Sequence, residues 1–236
     1  MKLSKSDLLL LNNFASINES IHFYEGALQS TVANSRNHFA FATFEEEFPK
    51  EFCIFDLNHF ISVYSLVNST GDTVLEFPED KQHLVIKSDK TSQDIRFCDP
   101  NIIEELDKSK RYEIEKPQIK FTISETLLEY GKKAAAINGF MNLVFEGDGT
   151  EIYMVSETVS QNGSNNSSER HRRKIEHENT TGKPFSAVFE VSKLKMLSDD
   201  YEVRIAAAGG AQFTSKNREY KFFAALQQPV TGLEEE

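Results

Sequence analysis

The 236-residue sequence has few of the features that mark exported, membrane-bound or metal-binding proteins. It contains only two cysteines, Cys53 and Cys98, which are too few for a disulfide framework or a zinc site. The longest apolar run near the N-terminus, Leu8 to Leu11, is far shorter than the roughly 20 residues that span a bilayer. We therefore predict a protein of a reducing cytoplasm, with no targeting segment, no metal and no cofactor.

Positive charge is also scarce. The chain has 26 Lys and Arg residues against 37 Asp and Glu residues, a formal net charge of −11. Non-specific affinity for nucleic acid comes mainly from cations on phosphates, so this balance argues against a protein that simply coats DNA. The net negative charge is concentrated in the first half of the chain. Residues 1 to 115 carry 11 basic and 20 acidic groups, a net charge of −9, and residues 116 to 236 carry 15 basic and 17 acidic groups, a net charge of −2. A role on DNA would need segregated charge.

The motifs of catalysis are missing as well. Gly182-Lys183-Pro184 lacks both the first glycine and the hydroxyl residue of a phosphate-binding loop. The six histidines show no metal-ligand spacing. Three consecutive carboxylates at Glu45 to Glu47 are typical of a solvated acidic patch on a loop. We predict that the protein is not an enzyme.

The first half of the chain has the periodicity of short strands between two helices. Capping residues followed by apolar stripes predict helices over Ser4 to Ala15 and over Asp56 to Val67. Runs rich in aromatic and β-branched residues predict strands, at Ile21 to Tyr24, Leu28 to Asn34, Phe39 to Phe44, Phe52 to Phe55, Thr73 to Phe77, His83 to Lys87 and Gln93 to Phe97. The proline-flanked, charged segment from Asp99 to Pro117 is predicted to connect two domains, 1–110 and 111–236.

The second half repeats this order of elements, which indicates a duplicated architecture. We predict helices from Ser124 and over Val191 to Leu197, with strands at Gln118 to Thr122, Phe140 to Phe145, Ile152 to Val155, Tyr201 to Ala206, Gln212 to Thr214 and Tyr220 to Leu226. The polar segment from Ser160 to Lys183 is predicted to be a long mobile loop. Within it, the basic run Arg170 to Lys174 fits either a contact to DNA or anionic partners or a solvated loop.

Two blocks of the first half resemble a known family. They are Met1-Lys2-Leu3-Ser4-Lys5 with Asn13-Phe14-Ala15, and Ile54-Phe55-Asp56-Leu57-Asn58 with Ser65-Leu66-Val67, and they are similar to stretches of the sliding clamps of T-even-type bacteriophages. Ile119-Lys120-Phe121, Lys132-Lys133 and Lys195-Met196 fit the same pattern. The resemblance implies an α+β fold of two similar clamp domains, each with antiparallel sheets and two helices, which assemble head to tail as a homotrimer into a six-domain ring.

The resemblance also implies a function and partners. Such a ring encircles double-stranded DNA without sequence preference and tethers the replicative DNA polymerase for processive synthesis. A clamp-loader ATPase places it on DNA, and late-transcription proteins use it as a coactivator, all in the cytoplasm of the infected bacterial host. A strand-rich structural protein of a phage capsid or baseplate is the competing hypothesis, because it would also be acidic and would form larger assemblies.

Two sets of site residues follow from the resemblance. Seven lysines on or beside the helices are predicted to face DNA, although a solvated helix face explains each one equally well: Lys2, Lys5, Lys120, Lys132, Lys133, Lys193 and Lys195. Partner proteins in the family insert short apolar peptides near the domain junction. The residues predicted to form that pocket, for which core packing is the alternative, are Ile102, Ile103, Leu106, Ala224, Leu226 and Val230.

Overall fold

The computed structural model describes residues 1–79, 81–107, 109–159, 169–178 and 182–233. These residues form two compact units, Met1–Ser109 and Lys110–Glu236. Both units combine α-helix with antiparallel sheet, so the predicted α+β class is confirmed. None of the described helices is long and apolar enough to cross a membrane.

The described residues of the first unit form two α-helices and seven strands, which are α1 (Lys5–Ile17), β1 (Ile21–Phe23), β2 (Gly26–Val32), β3 (His38–Phe48), β4 (Phe52–Ile54), α2 (Leu57–Asn68), β5 (Val74–Glu76), β6 (His83–Lys87) and β7 (Ser92–Arg96). Both helices begin at capping residues because a side-chain oxygen there can accept an unused backbone N–H. Ser4 and Asp7 form a reciprocal capping box at α1, and Asp56 accepts from the backbone N–H of His59 at α2.

Strand pairing in the first unit is antiparallel throughout. β1 pairs with β4, β2 pairs with β3, and β5, β6 and β7 form a three-stranded sheet. α1 packs against β2, β3 and α2, and α2 packs against β6 and β7. Between these elements lies an aromatic core in which the Phe23 ring centroid is 4.6 Å from that of Phe48 and 4.7 Å from that of Phe52. The predicted acidic loop at Glu45 to Glu47 is wrong, because these residues lie within β3.

In the second unit the part of the chain that the structure describes has one α-helix and eight strands, which are β8 (Ile119–Ile123), α3 (Glu125–Asn138), β9 (Asn142–Asp148), β10 (Glu151–Glu157), β11 (His171–Glu178), β12 (Pro184–Glu190), β13 (Tyr201–Ile205), β14 (Gly210–Ser215) and β15 (Tyr220–Ala225). One sheet has the order β11-β10-β9-β12, and a second row of paired strands runs β15-β14-β13-β8. α3 packs against β9, β10 and β11. Edge-to-face contacts of Phe145 with Phe121 and of Phe189 with Phe213 join the two layers.

Two predictions for the second unit need correction. The helix predicted over Val191 to Leu197 is a single 3₁₀ turn, Val191–Lys193. The chain then continues without helix, because Leu194, Met196 and Leu197 are all buried at a spacing that one helical face cannot present. Strand β12 was not predicted at all.

The long loop predicted from Ser160 to Lys183 is wrong over His171–Glu178, which form β11. This strand pairs antiparallel with β10, from Ser156 opposite His171 to Ile152 opposite Ile175. Residues 160–168 and 179–181 lie outside the described part of the chain. The polar composition of this segment suggested a loop, but a strand at the edge of a sheet needs few apolar residues. Of the side chains described in β11, only Ile175 is buried.

Candidate nucleic-acid interface

Lys5 is the first residue of α1, and Lys2 lies three residues before it. The Lys2 ammonium is 2.8 Å from the Asp72 carboxylate, and this hydrogen bond raises the pKa of Lys2 and lowers that of Asp72. Lys5 is exposed in the first turn, and no carboxylate of a described residue lies within 4.0 Å of its ammonium. Of these two lysines, only Lys5 is therefore open to a phosphate without displacing an internal partner.

The position of α3 depends on a glycine at its centre. A Cβ on Gly131 would lie 2.6 Å from Sδ of Met154, so the absence of a side chain lets the helix approach β10 closely. The Ser156 hydroxyl donates to the carbonyl oxygen of Gly131 at 3.0 Å and ties the same turn to the sheet. α3 then ends at Gly139, whose positive φ of 68° suits a left-handed C-cap.

α3 carries two of the predicted lysines in different environments. Lys132 is partly buried, and its ammonium lies 3.3 Å from the Glu129 carboxylate one turn earlier. Lys133 is exposed, and among the described residues no carboxylate lies within 4.0 Å of it. Within the described part of the chain, the helix therefore presents one paired and one unpaired cation.

The three remaining predicted lysines lie outside the α-helices. Lys120 is on β8, and its ammonium is 3.2 Å from the Glu202 carboxylate of the neighbouring strand β13. Lys193 ends the 3₁₀ turn and lies 2.6 Å from Glu190, while Lys195 is exposed just after that turn. At least four of the seven predicted DNA-facing lysines are thus paired with carboxylates. Their role toward DNA stays a prediction.

The basic run that sequence reasoning left open forms the start of β11. On one face of this strand, Arg170 contacts Glu146 and lies 3.2 Å from Glu157, while the Arg172 guanidinium carbon is 3.5 Å from the centroid of the Tyr153 ring. Lys174, on the same face, pairs with Glu151. Glu157 is buried, and this burial raises its pKa although Arg170 opposes the shift. The charge on this face is largely neutralised within the unit.

The opposite face of β11 is different. The guanidinium carbon of Arg173 lies 4.4 Å from the centroid of the Tyr130 ring on α3. The ring centroid of His171 lies 5.3 Å from that of Tyr130. No carboxylate of a described residue is within 4.0 Å of Arg173. Sequence reasoning missed Tyr130 and this pairing, since only the strand assignment of β11 reveals that Arg173 points away from its neighbours Arg172 and Lys174.

In the first unit, the predicted pocket residues lie on a segment held by polar contacts. Glu104 pairs with Arg36, and Glu105 accepts a hydrogen bond from the Tyr24 hydroxyl. Burial raises the pKa of Tyr24, and this hydrogen bond raises it further. The buried His22 ring has one nitrogen 3.2 Å from Glu105. The other nitrogen of this ring lies 2.6 Å from the Glu51 carboxylate.

The predicted pocket residues differ in exposure. Ile102 is 58% exposed, whereas Ile103 is buried and Leu106 is half-buried. The cavity that Leu106 lines with His22 and Ser30 has a volume of about 10 Å³, close to that of one water molecule, so it has no room for an apolar peptide side chain.

The C-terminal half of the predicted pocket belongs to the second unit. Ala224, on β15, and Val230 are buried there, and Leu226 is half-buried. The backbone N–H groups of Leu226 and Val230 donate to the carbonyls of Gly209 and Ala207 at 2.8 and 3.0 Å. The burial of Ala224 and Val230 agrees with core packing, the alternative explanation. A pocket shared by the two sets stays a prediction.

Comparison with known proteins agrees with this architecture. Residues 4–103 match the family model of the DNA polymerase processivity factor. Over 223 residues the chain is 28% identical to the sliding clamp of Vibrio phage KVP40, with 93% of this chain and 97% of the relative covered. The sliding clamp of Enterobacteria phage T4 is 24% identical, with 93% and 95% covered.

Solved structures share the fold at lower identity. The PCNA of Thermococcus kodakaraensis superposes with a TM-score of 0.67 at 17% identity, covering 94% of this chain and 96% of that one. The PCNA of A. fulgidus, solved with the C-terminal region of FEN-1 bound, gives 0.63 at 15% identity, covering 97% and 96%. The processivity-factor match in the first unit and the sliding-clamp relatives along 93% of the chain support a sliding clamp of the T-even phage type.

Proposed function

We propose that three copies of this chain close into a ring around duplex DNA and tether the replicative DNA polymerase of the phage in the cytoplasm of the infected bacterium. The observation that carries this proposal is the similarity to phage sliding clamps over 93% of the chain. The role is mechanical and not catalytic. A polymerase that is bound to a ring topologically linked to its template cannot diffuse away between nucleotide additions.

The sheet edges support head-to-tail assembly. β7 ends the three-stranded sheet of the first unit, and β11 ends one sheet of the second unit, with no described strand on the outer side of either. Unpaired edges invite pairing with another chain. Joining two different edges is a heterologous contact, which forms a closed ring when the rotation between copies completes a circle. Three copies with two units each would give six units around the hole.

The charges suit a ring that slides. Retention comes from topology, so the contacts to DNA need only be weak and independent of sequence. In the proposed ring the seven predicted lysines face the DNA backbone, where lysine acts as a flexible point charge. The acidic surplus of the chain lies on other surfaces, and a Debye length of about 8 Å at physiological salt lets the two surfaces present different potentials.

Partner proteins would bind outside the hole. In the A. fulgidus PCNA structure the bound molecule is the C-terminal region of FEN-1. We propose that the polymerase and a clamp-loader ATPase of the phage contact this chain by short apolar peptides that cover the exposed side chain of Ile102. Recruitment of late-transcription proteins by the DNA-loaded ring belongs to the same proposal.

The experiment that tests the proposal has two parts. Light scattering measures the mass in solution, which should be three times 26.9 kDa. The protein is then placed with loader and ATP on singly nicked circular DNA, and its retention is followed in high salt before and after the circle is cut. The uncut circle and the same DNA linearised beforehand are matched templates.

Retention on the circle that resists salt and disappears on linearisation supports a ring. Direct phosphate binding would instead weaken steeply with salt on both templates, because each neutralised phosphate releases counterions. A monomer, or large polymers that are retained equally on circular and linear DNA, would overturn the proposal and favour the phage structural protein.

A further inference from the structure

Side chains hold residues 103–106 against the first unit, and we call this segment the strap. The backbone N–H of Ile103 donates to the carbonyl of Pro100 at 3.0 Å, within the turn that precedes the strap. Beyond it, the backbone of residues 104–106 makes no hydrogen bond to the backbone of another described residue. Segments with so few backbone hydrogen bonds can open locally. The strap can therefore leave the unit without breaking a strand or a helix.

Two adjacent carboxylates anchor the strap. The Nε–H group of Arg36 donates to Glu104 at 2.8 Å, and Nη2 of the same guanidinium contacts the same oxygen. Glu105 accepts a hydrogen bond from the Tyr24 hydroxyl and lies 3.2 Å from Nδ1 of the buried His22. Arg36 lies in the turn between β2 and β3, whereas His22 and Tyr24 lie on β1 and just after it. The two carboxylates thus fasten the strap at two separate points.

The backbone at Arg36 supports a role for its side chain. Its φ of 55° lies in the left-handed region, and among the described residues no other non-glycine residue has a positive φ. Glycine and asparagine adopt this conformation at lower cost than arginine does. Backbone preference therefore does not explain an arginine at this position, whereas the contact of its guanidinium with Glu104 does.

The strap closes a cavity that has an apolar floor. Ile21 and Val32 are buried, and they line this cavity together with Leu106 of the strap. With the strap in place the cavity has a volume of about 10 Å³, which is room for one water molecule. Ile103 is buried as well, directly after the exposed Ile102. Removal of the strap would uncover apolar side chains beside Ile102.

We propose that the strap is an autoinhibitory contact, which occupies the place that an apolar side chain of a partner peptide takes once the strap has opened. This inference deepens the proposed function and rests on it, because the partner peptides are proposed to bind at Ile102. The apparent affinity for a partner is then the affinity of the open form, reduced by the fraction of chains that are open. A weaker latch should therefore give tighter binding.

The anchors of the strap indicate the chemistry of the peptide that replaces it. Arg36 and Tyr24 lose their carboxylate partners when Glu104 and Glu105 move away. A carboxylate on the incoming peptide restores these contacts, while an apolar side chain next to it covers the floor. The peptide that fits best therefore has an acidic residue beside an apolar one, as the strap itself does.

The test measures opening of the strap by thiol labelling. Ile103→Cys places a thiol at a buried position of the strap, and its alkylation by iodoacetamide is followed by mass spectrometry of proteolytic peptides. The natural thiol of Cys53 is buried on β4 and reports, in the same sample, on opening of the whole unit. Circular dichroism verifies that each variant keeps the fold of the parent.

Two substitutions in this background weaken one anchor each, Arg36→Gln at Glu104 and Tyr24→Phe at Glu105. Lys87→Gln is the matched control, because it removes an exposed ion pair between two strands of the same unit, away from the strap. The same three substitutions are also made in the chain with the native Ile103. The affinity of these chains for the replicative polymerase of the phage is measured by calorimetry without DNA.

We expect alkylation at position 103 to rise about threefold in Arg36→Gln, which loses an exposed ion pair. In Tyr24→Phe it should rise about tenfold, because a hydrogen bond to a charged group is lost. Alkylation of Cys53 should stay at the parent rate. Affinity for the polymerase should rise by the same two factors, since both quantities follow the open fraction while the strap is mostly closed. Lys87→Gln should equal the parent in both measurements.

Parental alkylation at position 103 in both anchor variants would overturn the inference, because the two carboxylates would then not hold the strap. An equal rise at Cys53 would overturn it too, since it would report general loosening of the unit. Faster alkylation at position 103 with unchanged or lower polymerase affinity would show that the strap does not compete with the partner.

Failure of the proposed function is recognised on the parent protein. A parent that is not retained on nicked circles and does not bind the polymerase refutes the proposed function. A parent that does both, while the anchor variants bind the polymerase no more tightly, refutes the autoinhibitory strap alone.

Discussion

Asp7 offers a sharp test of how the first unit is held together. Its carboxylate is fully buried and accepts two backbone hydrogen bonds, from Ser4 at 3.0 Å and from Glu45 of β3 at 2.8 Å. The first bond closes the N-terminus of α1, and the second fastens this helix to the sheet. Asp7→Asn preserves shape but leaves only one acceptor oxygen, so one buried N–H must face an amide group that cannot accept it.

The magnitude follows from these two bonds. Hydrogen bonds to charged groups contribute about 1.5–3 kcal/mol, and a buried donor left without a partner costs about 1–3 kcal/mol. We expect Asp7→Asn to lower the free energy of unfolding by about 3 kcal/mol. For a unit of roughly 100 residues, at roughly 4 °C or more per kcal/mol, the thermal midpoint should fall by roughly 12 °C.

The matched control is Asp72→Asn, the same chemical change at an exposed carboxylate. Asp72 pairs with Lys2 at the surface, and exposed ion pairs contribute little net stability. Unfolding by heat and by urea is followed by circular dichroism at one fixed protein concentration, because assembly would make the midpoint depend on concentration. If the two variants unfold at the same temperature, the buried carboxylate does not hold α1 to the sheet and the reasoning is wrong.

Three further predictions concern the second unit. Gly139→Ala should lower its stability in urea by about 1 kcal/mol, because φ at this C-cap is +68° and a Cβ is strained there. Arg170→Met should cost about 2 kcal/mol near neutral pH, because it leaves the buried Glu157 carboxylate without its cation. Burial raises the pKa of Glu157, so this loss should shrink as pH falls and the carboxyl is protonated. Hydrogen bonds from backbone N–H groups and from the hydroxyl of Thr150 lower the pKa of Asp148 from 3.8 to about 2, so its contribution to stability is complete above pH 3.8 and should be lost as pH falls toward 2. Asp148→Asn should remove this part of the acid dependence of the urea midpoint.

The helices of the first unit were predictable from sequence because their signals are local. Ser4 and Asp56 are capping residues followed by apolar positions on one stripe, and both confirmed helices begin at the next residue. Strand β6 was also predicted with its bounds, since the turn-forming residues Pro78 to Asp80 separate the apolar run of His83 to Lys87 from the strand before it. In each case the pattern within a few residues decides the structure.

The errors arose where distant partners decide the structure. β11 was predicted as a loop because it has hardly any apolar residue. Pairing with β10 nevertheless stabilises it as a strand, as do the contacts of Arg170 with Glu146 and of Lys174 with Glu151. The apparent helix beginning at Val191 had apolar residues and no proline, but the core of the unit buries side chains on both sides of that segment. Tertiary contacts overrode the local pattern in both segments.

In the candidate site, too, the features set by nearby residues were predictable and those set by distant partners were not. Sequence located the lysines, but not the carboxylates beside them, because Asp72 is 70 residues from Lys2 and Glu202 is far along the chain from Lys120. Arg173 was visible within a basic run, yet only the strand register separates it from Arg172. The identity of a cation can be read from sequence, whereas its availability to a ligand depends on the fold.

The pairing of cations bears on how such a ring would move. A lysine that lies 2.8–3.3 Å from a carboxylate can exchange that partner for a phosphate, so each DNA contact forms at the expense of an internal one. The net gain per contact is then small, because surface ion pairs and phosphate contacts have similar energies in water. Small gains that are repeated around a closed hole leave a shallow energy profile along the duplex. In such a ring Lys5 and Lys133, which have no carboxylate partner among the described residues, would supply contacts without an internal competitor. The paired lysines would keep the total attraction weak enough to slide.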